Sequence, residues 1–187
     1  DLQAVLVLGD KISRIAAAGE IAAPDGVLVI DGRGNTLMPG LIDAHIHLND
    51  ELEFAAYLAH GVTSVRNMSG YPFHLRLIER IVEGQFLAPD FITTGPILNS
   101  QGPNELILQT TVNTADEARS AVREQHSAGY RHIKVYSNLT LETFIAILKE
   151  ATLLGMTISG HSPEGKRTAG IPREKPFEIP WEASLGK

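Results

Sequence analysis

Two histidines one residue apart, His45 and His47, stand in the otherwise apolar segment GLIDAHIHL. The segment has the character of a short buried strand, and side chains alternate between the two faces of a strand. Both imidazoles are therefore expected to point the same way, together with Asp43, while Ala44 and Ile46 face a helix layer. Two imidazoles at this spacing can reach one divalent ion, because zinc–nitrogen distances are about 2.0–2.1 Å. Taken alone, such a histidine pair is more often a surface or core feature than a metal site.

Two further residues with metal-site chemistry occur near the ends of later apolar segments. Lys134 interrupts HIKVYS, where Ile133 and Val135 can face the helices and leave the lysine pointing inward with His132 and Tyr136. An inward lysine either extends to water, pairs with a carboxylate or has a lowered pKa, since a buried unpaired charge is costly. A neutral lysine amine can react with carbon dioxide to form a carbamate, an anionic metal ligand. His161 ends the segment TISGHS, where a lone histidine is usually structural.

An alternation of short apolar strands with amphipathic helices is expected to position these residues. We predict strands at about 41–47, 62–68, 91–98, 132–136 and 156–161, and helices at about 51–60, 73–86, 114–129 and 141–155. Thr114 followed by Glu117 is a capping-box signal for the third helix. The alternation predicts parallel βαβ units, whose active sites lie at the carboxyl ends of the strands. An open doubly wound sheet and five units of a (β/α)8 barrel both produce this pattern.

The two ends of the chain differ from this middle part. Residues 1–38 have β character, with one hairpin signal at a Gly-Asp turn and a second at Asp31-Gly32. The segment 162–187 contains four of the ten prolines and lacks hydrophobic periodicity. We predict that it is a long loop after the fifth strand.

The composition limits the classes of function that are open. The chain has 187 residues, 43% of them hydrophobic, which is ordinary for a protein with a buried core. A net charge of -6 gives no basic surface for nucleic acid, and the lack of cysteine excludes disulfides and cysteine-ligated zinc. No apolar run is long enough for a membrane span, and no signal peptide is recognisable. We expect a cytoplasmic location; a periplasmic or secreted one stays open, because a targeting segment could precede Asp1.

The segment LMPGLIDAHIHL resembles the first barrel strand of the amidohydrolase superfamily, where the pattern P-G-x-x-D-x-H-x-H carries two metal ligands. The likeness continues in order through GVTSVRNMSG, ADEARSAVREQHSAGYRHIKVY and LGMTISGHS, and is strongest to prolidase-like and imidazolonepropionase-like members. These are metal-dependent hydrolases built on a (β/α)8 barrel beside a small β-sandwich. The resemblance implies that residues 1–38 are part of the sandwich, 39–161 the first five βα units, and 162–187 the loop after strand five.

The resemblance also assigns metal ligands residue by residue. His45 and His47 match the two ligands of strand one, His161 matches the histidine of strand five, and Lys134 matches a strand-four lysine that is carboxylated in many members. It therefore implies one or two Zn²⁺ ions, or other divalent metals, and a carbamate on Lys134. A strand-six histidine and a strand-eight aspartate that acts as general base are expected beyond Lys187, so no catalytic residue is assigned within the chain.

Three other positions bear on this assignment. Arg66, at the end of the second strand, and Tyr136, after the fourth, are candidate substrate-binding residues. A surface charge is an equal alternative for Arg66, and packing at the barrel rim is an equal alternative for Tyr136. Members of the superfamily often have Asp where this chain has Asn67.

The sequence thus supports three hypotheses of function. The first is a hydrolase that cleaves an amide, peptide or lactam C–N bond of a small-molecule or peptide substrate with metal-activated water. The second is a non-catalytic or inactive fragment of the same fold that only binds metal or ligand. The third, an open sheet with a phosphate-binding loop, ranks last because neither glycine-rich phosphate motif is present. The remainder of its own polypeptide is the expected protein partner, and a homo-oligomer is compatible with the sequence.

Overall fold

The computed structural model describes residues 3–32 and 34–162. The chain divides into two compact units, Asp1–Pro39 and Gly40–Lys187. The loop predicted at 162–187 lies, except for its first residue, outside the described residues. Among the described residues, no helix is both long and apolar enough to cross a lipid bilayer.

The first unit contains an antiparallel hairpin of two strands, β1 (Gln3–Leu8) and β2 (Lys11–Ala17). Leu8 pairs with Lys11, so the two-residue connection between the strands is the predicted Gly-Asp turn. Gly9 has a φ of 61°, a left-handed conformation that glycine adopts without steric cost. The first predicted hairpin is confirmed.

The second predicted hairpin, around Asp31-Gly32, is wrong. The described residues between 18 and 40 form no strand. Leu28 and Ile30 in this segment are 83% and 81% exposed. A strand is stable when a neighbour takes up its backbone hydrogen bonds and one face is buried, and these residues have neither within the described part of the unit.

The second unit is built on parallel strands that alternate with helices. One sheet has the order β3-β4-β5 and consists of β3 (Leu41–Ile46), β4 (Val62–Asn67) and β5 (Asp90–Thr93). The other has the order β7-β6-β8-β9 and consists of β6 (Leu98–Asn99), β7 (Thr110–Thr111), β8 (His132–Val135) and β9 (Thr157–Gly160). Every pairing in both sheets is parallel, as predicted.

Four helices lie in the connections close to their predicted positions: α1 (Glu53–Ala59), α2 (Pro72–Val82), α3 (Ala115–Ala128) and α4 (Leu141–Leu153). The capping box of α3 is confirmed. The Thr114 hydroxyl accepts from the Glu117 amide at 3.3 Å, and the Glu117 carboxylate accepts from the Thr114 amide at 3.1 Å. Thr140 caps α4 by accepting from the Thr143 amide at 3.2 Å.

The strand predicted at 91–98 is divided into two short strands, β5 and β6. β5 pairs with β4, and β6 pairs with β8. Between them, the Thr94 amide donates to Asn67 O at 3.0 Å and the Gly95 amide donates to His132 O at 2.8 Å. The ladder is interrupted next to Pro96, which has no amide hydrogen to donate. This segment therefore connects the two sheets and gives β3, β4, β5/β6, β8 and β9 the sequential order expected of βαβ units.

Two apolar clusters hold the strands against the helices. One contains Phe54 of α1 with residues of β3, β4 and α2, and the other contains Ile133 of β8 with residues of β6, α3 and α4. Arg123 of α3 and Glu150 of α4 form a bidentate ion pair, with Nε–Oε1 and Nη2–Oε2 distances of 2.7 and 3.1 Å. These contacts hold the helices together and against the strands that carry the candidate ligands.

Candidate metal centre

The residues that the superfamily resemblance assigns as metal ligands line one cavity in the second unit. They are His45, His47, Lys134 and His161. The cavity has a volume of about 590 Å³, and Ser69, Tyr71 and Tyr136 add hydroxyl groups to its wall. Residues 105–108 form another part of the lining. Residues far apart in the sequence are thus brought together at the carboxyl ends of β3, β8 and β9.

The end of β3 presents its two histidines to the cavity. His45 and His47 are exposed, whereas Ile46 between them is 4% exposed, as the alternation predicts. Ala44, which was predicted to face the helices with Ile46, is exposed. The centroids of the two imidazole rings are 5.3 Å apart. Within residues 3–32 and 34–162, neither ring forms a hydrogen bond. The hydrogen bond that His45 does form comes from its backbone amide, which donates to Asp43 Oδ1 at 3.1 Å. The ring nitrogens are therefore available to a ligand from outside the described structure.

Partial removal from water and nearby positive charge both favour the neutral form of these two histidines. Removal of the rings from water lowers the pKa of both His45 and His47 below the ordinary histidine value, and the positive charge of Lys134 lowers both further. His161 and Arg66 add smaller effects in the same direction at His45. Neutral imidazole is the form that donates a lone pair to a metal ion. The local charges thus favour the metal-binding state of both rings near neutral pH.

Lys134 lies within β8, where it is 1% exposed between Ile133 and Val135, which are also buried. It pairs in register with Ser159 of β9. Burial lowers the pKa of the Lys134 ammonium, and the guanidinium of Arg66 lowers it further. No carboxylate among the described residues forms an ion pair with Lys134. A buried, unpaired lysine with a lowered pKa has a neutral fraction that can act as a nucleophile.

His161 follows the last residue of β9 directly. Its backbone amide donates to Val135 O at 3.1 Å, which extends the β8–β9 ladder by one bond. Its ring contacts Tyr136 edge to face, with 4.5 Å between the centroids. Gly160 has a φ of 145°, and a Cβ placed there would lie 2.1 Å from Val135 O. The two strands therefore approach closely at this glycine, and any other residue would push them apart.

The two predicted substrate-binding residues differ in position. Tyr136 lines the cavity beside His161. Arg66 does not line it: its Nε donates to Ala44 O at 2.9 Å and its Nη1 to Ser159 Oγ at 3.5 Å. Its guanidinium therefore links β4 to both β3 and β9. The geometry gives Tyr136 direct access to a ligand and gives Arg66 a role in holding strands and setting local charge.

Solved structures similar to this chain include amidohydrolases and peptidases. A candidate prolidase from Bifidobacterium longum is 31% identical, with a TM-score of 0.68 over 88% of this chain and 46% of that one. Bottromycin amidohydrolase is 27% identical, with a TM-score of 0.64 over 68% of this chain and 28% of that one. A Xaa-Pro dipeptidase with bound methionine in its active site, 21% identical, shares the fold with a TM-score of 0.66. The chain fits the amidohydrolase superfamily.

This confirms the resemblance predicted from the sequence and defines its extent. The chain spans about half the length, or less, of the proteins that it matches. The match covers their N-terminal part. Neither the protein-family models nor the curated proteins contain a match to this chain.

Asn67 stands where members of the superfamily often have Asp, and the structure shows what an amide does there. Asn67 is fully buried, and its Oδ1 accepts from the Leu48 amide at 3.0 Å. Its Nδ2 donates to Ser69 O at 3.0 Å and to Thr93 Oγ1 at 2.9 Å. An ionised carboxylate could not make these bonds, since it only accepts. Asn67 thereby anchors the residue that directly follows His47.

A second buried side chain, His74 of α2, holds the same residue from the other side. Its Nε2 lies 3.0 Å from Leu48 O, and its Nδ1 accepts from the Tyr71 amide at 2.9 Å. The second bond requires an unprotonated Nδ1, so the proton is on Nε2, which donates to Leu48 O. Both polar groups of Leu48 are therefore used, and the Ile46 carbonyl accepts from the Met68 amide at 2.9 Å. This support was missed in the sequence, where His74 reads only as a residue near the start of a helix.

The donor set fits a divalent metal in its chemistry. His45 and His47 offer neutral rings without protein partners among the described residues, and Lys134 is buried without a counterion there. Within that same part of the chain, no three His, Cys, Asp or Glu side chains are grouped closely enough to hold a metal ion. The histidine pair therefore requires a ligand of another kind, and a carbamate on Lys134 would supply two oxygens.

Proposed function

We propose that this protein is a metal-dependent hydrolase that cleaves an amide, peptide or lactam C–N bond. The observation that carries the proposal is the meeting of His45, His47, Lys134 and His161 at one cavity, from the ends of three different strands. Amidohydrolases and peptidases among the similar structures support hydrolase activity in general. The metal, the bond and the substrate class are parts of the proposal.

The proposal includes the architecture that this chemistry needs. The parallel sheets would form the first five βα units, 39–161, of a (β/α)8 barrel, and residues 1–38 would belong to a small β-sandwich. In support, β3, β4 and β5 pair in parallel in chain order, and so do β6, β8 and β9, as neighbouring strands of such a barrel do. The carboxyl ends of barrel strands are where active sites of this fold lie, and the candidate ligands occupy those ends.

The residues at the cavity divide the metal-binding and substrate-binding roles of this mechanism between them. His45 and His47 would hold one Zn²⁺ ion through neutral ring nitrogens, and His161 would bind a second ion. The Lys134 amine would add to the carbon of CO₂ and lose a proton, which turns a cation into a carboxylate-like ligand. Bound Zn²⁺ supplies a Lewis acid that lowers the pKa of water and polarises a carbonyl. Tyr136 would donate its phenolic O–H to the substrate, while Arg66 lowers the pKa of the Lys134 ammonium and so favours the amine that reacts.

Metal analysis of the purified protein tests this proposal. We expect at least one divalent ion per chain, loss of amide hydrolysis on chelation and recovery on addition of Zn²⁺. After equilibration with ¹³C-bicarbonate, we expect a carbamate carbon signal that disappears in Lys134→Met. A protein without bound metal, whose hydrolysis survives chelation, would contradict the proposal.

The competing function is that of a protein of the same fold that binds metal or ligand without catalysis. It requires only the histidine pair and the lysine that line the cavity. The same measurements separate the two functions. Stoichiometric metal without hydrolysis of any amide, dipeptide or lactam in a broad panel would establish the non-catalytic alternative.

A further inference from the structure

The loop between β6 and β7, residues 100–109, is held in place by buried amide side chains. Asn99 is fully buried, and its Nδ2 donates to Asn104 O at 3.2 Å and to Gln109 Oε1 at 2.8 Å. The same Gln109 oxygen accepts from the Leu106 amide at 2.9 Å. The conformation of the loop is thus set by polar contacts that reach from the sheet to the part of the loop that lines the cavity.

A second amide fixes the first half of the loop. Asn138, which is 6% exposed, donates from Nδ2 to Ser100 O at 3.2 Å and accepts at Oδ1 from the Asn104 amide at 3.3 Å. Asn104 Nδ2 donates in turn to Ser137 Oγ at 3.1 Å. Gly102 has a φ of 156°, and a Cβ there would lie 2.8 Å from Asn138 Cγ. A loop fixed at this many points is a preorganised wall of the cavity.

The wall carries large apolar side chains in contact with water. Leu106, Ile107 and Leu108 all line the cavity, and Ile107 and Leu108 are 101% and 63% exposed. Exposed apolar area is unfavourable, so apolar side chains at the mouth of a cavity favour contact with an apolar group. Because the loop is fixed, these side chains are held at the mouth of the cavity in the absence of ligand. An apolar group of the ligand can cover them.

The charge of the cavity wall indicates which group of the ligand lies next to its apolar group. Among the described residues that line the cavity, Glu105 is the only carboxylate, and the other ionisable groups there are histidines, tyrosines and one lysine. Glu105 is exposed and forms no ion pair within the described part of the chain. It directly precedes the apolar residues 106–108. A ligand that complements this wall has an ammonium group adjacent to an apolar side chain.

We infer that residues 105–108 form a subsite for an apolar residue with a free ammonium group, as at the N-terminus of a peptide or in an amino-acid amide. The inference rests on the proposed hydrolase function, because the scissile carbonyl of such a substrate would point to His45 and His47. Glu105 pairs with the ammonium, and Ile107 and Leu108 cover the side chain. The cavity volume of about 590 Å³ is in the range of pockets that hold small ligands.

The decisive experiment compares free and acetylated forms of one substrate. We would measure kcat/KM for leucyl-alanine and N-acetyl-leucyl-alanine with the parent protein and with Glu105→Gln. The parent should prefer the free dipeptide, and Glu105→Gln should lower kcat/KM for it about tenfold while leaving the acetylated form unchanged, the size expected for one charge-assisted hydrogen bond. Equal loss on both forms, or no loss on either, would overturn the inference.

Glu79→Gln is the matched control, since Glu79 is an exposed glutamate of α2 that does not line the cavity. It should leave both rates unchanged. Ile107→Ser tests the apolar part: it should reduce the preference for leucyl-alanine over glycyl-alanine about fivefold. An unchanged preference would remove the apolar part of the subsite. Since Ile107 is fully exposed, this change does not disturb the core.

Failure of the proposed function is distinguishable from failure of this subsite. If the protein hydrolyses no amide, titration calorimetry with leucinamide and N-acetyl-leucinamide replaces the rate measurement. Binding of leucinamide that is weakened about tenfold by Glu105→Gln, with no such effect on the acetylated probe, supports the subsite without hydrolysis. Equal binding of both probes, or binding of neither, contradicts it.

Discussion

Two different histidine environments meet at Leu48, which directly follows His47 and accepts a hydrogen bond from His74. His74 is fully buried, and the backbone of Leu48 and Tyr71 uses both of its ring nitrogens. His45 and His47 are exposed at the end of β3, and their rings form no hydrogen bond within the described residues. Loss of contact with water, complete at His74 and partial at His45 and His47, lowers the pKa of all three. A shifted pKa therefore does not separate a structural histidine from a ligand.

The partners of the ring nitrogens make that separation. A histidine whose two nitrogens are both bonded to the backbone has one fixed tautomer and no lone pair for a metal ion. A neutral histidine without protein partners has such a lone pair. The two kinds are also linked, because His74 anchors Leu48, which directly follows His47. The buried histidine thus stabilises the position of the exposed pair, and the following predictions test this division of roles.

The largest expected effect is on activity and follows from loss of the exposed pair. Replacement of both His45 and His47 by Ala should lower amide hydrolysis by at least about a hundredfold and abolish metal binding. After chelation of metal, the free energy of unfolding should change by less than about 0.5 kcal/mol per site, because these side chains are exposed. Enzyme assay and urea unfolding of the metal-free proteins check the two parts. Full activity in the double variant would remove the histidine pair from the mechanism.

For the buried histidine, we expect a large effect on stability. His74→Ala removes the donor to Leu48 O and the acceptor for the Tyr71 amide and leaves a cavity. We expect a loss of about 3 kcal/mol in the free energy of unfolding of the metal-free protein. His60→Ala is the control, since His60 is exposed at the end of α1, and it should cost much less. If the two variants were equally stable, the network around Leu48 would contribute nothing to stability.

The sequence predicted one of these environments and missed the other for a physical reason. The exposed pair follows from the period of a strand, which is local: His45 and His47 share a face and Ile46 is buried. The support of Leu48 depends on side chains 19 and 26 residues away, Asn67 and His74, and these meet only after β4 and α2 have packed. No pattern of spacing indicates such a contact.

The same distinction between local and long-range signals applies to the fold. The capping box at Thr114 is a local signal, and it was predicted correctly. The division of the strand at 91–98 depends on which neighbour each half pairs with, β4 or β8, so it could not be predicted from local pattern. The loop at 105–108 was likewise missed, since the amides that fix it come from two different strand ends.

Asn67→Asp tests the other half of the Leu48 support. An ionised carboxylate would still accept from the Leu48 amide, but it would face the Ser69 carbonyl without a donor. We expect a loss of about 2 kcal/mol at pH 8. Burial would raise the folded-state pKa of the new carboxyl above the unfolded value of about 3.9, so the loss should shrink as pH falls toward 5. A pH-independent loss in urea unfolding would indicate that the site tolerates the charge.

The smallest expected effect is the contribution of His74 to the pH dependence of stability. Burial lowers its pKa below the unfolded value of about 6.5, outweighing the hydrogen bond to Leu48 O, which raises it. The unfolded chain therefore binds the proton more readily, and stability falls as pH drops below about 6.5 toward the lower folded pKa. Protonation of Nδ1 would also set an N–H against the Tyr71 amide, which now donates to that nitrogen.

His74→Gln isolates this contribution, since its amide can still donate to Leu48 O but does not titrate. The slope of unfolding free energy against pH between about 6.5 and 5 should be steeper in the parent, by at most about 1.4 kcal/mol per pH unit for one proton. His45 and His47, whose pKa values are also lowered, titrate in both proteins and cancel in the difference. Parallel slopes for the parent and His74→Gln would contradict this prediction. They would mean that the His74 ring has the same pKa in the folded and unfolded chains.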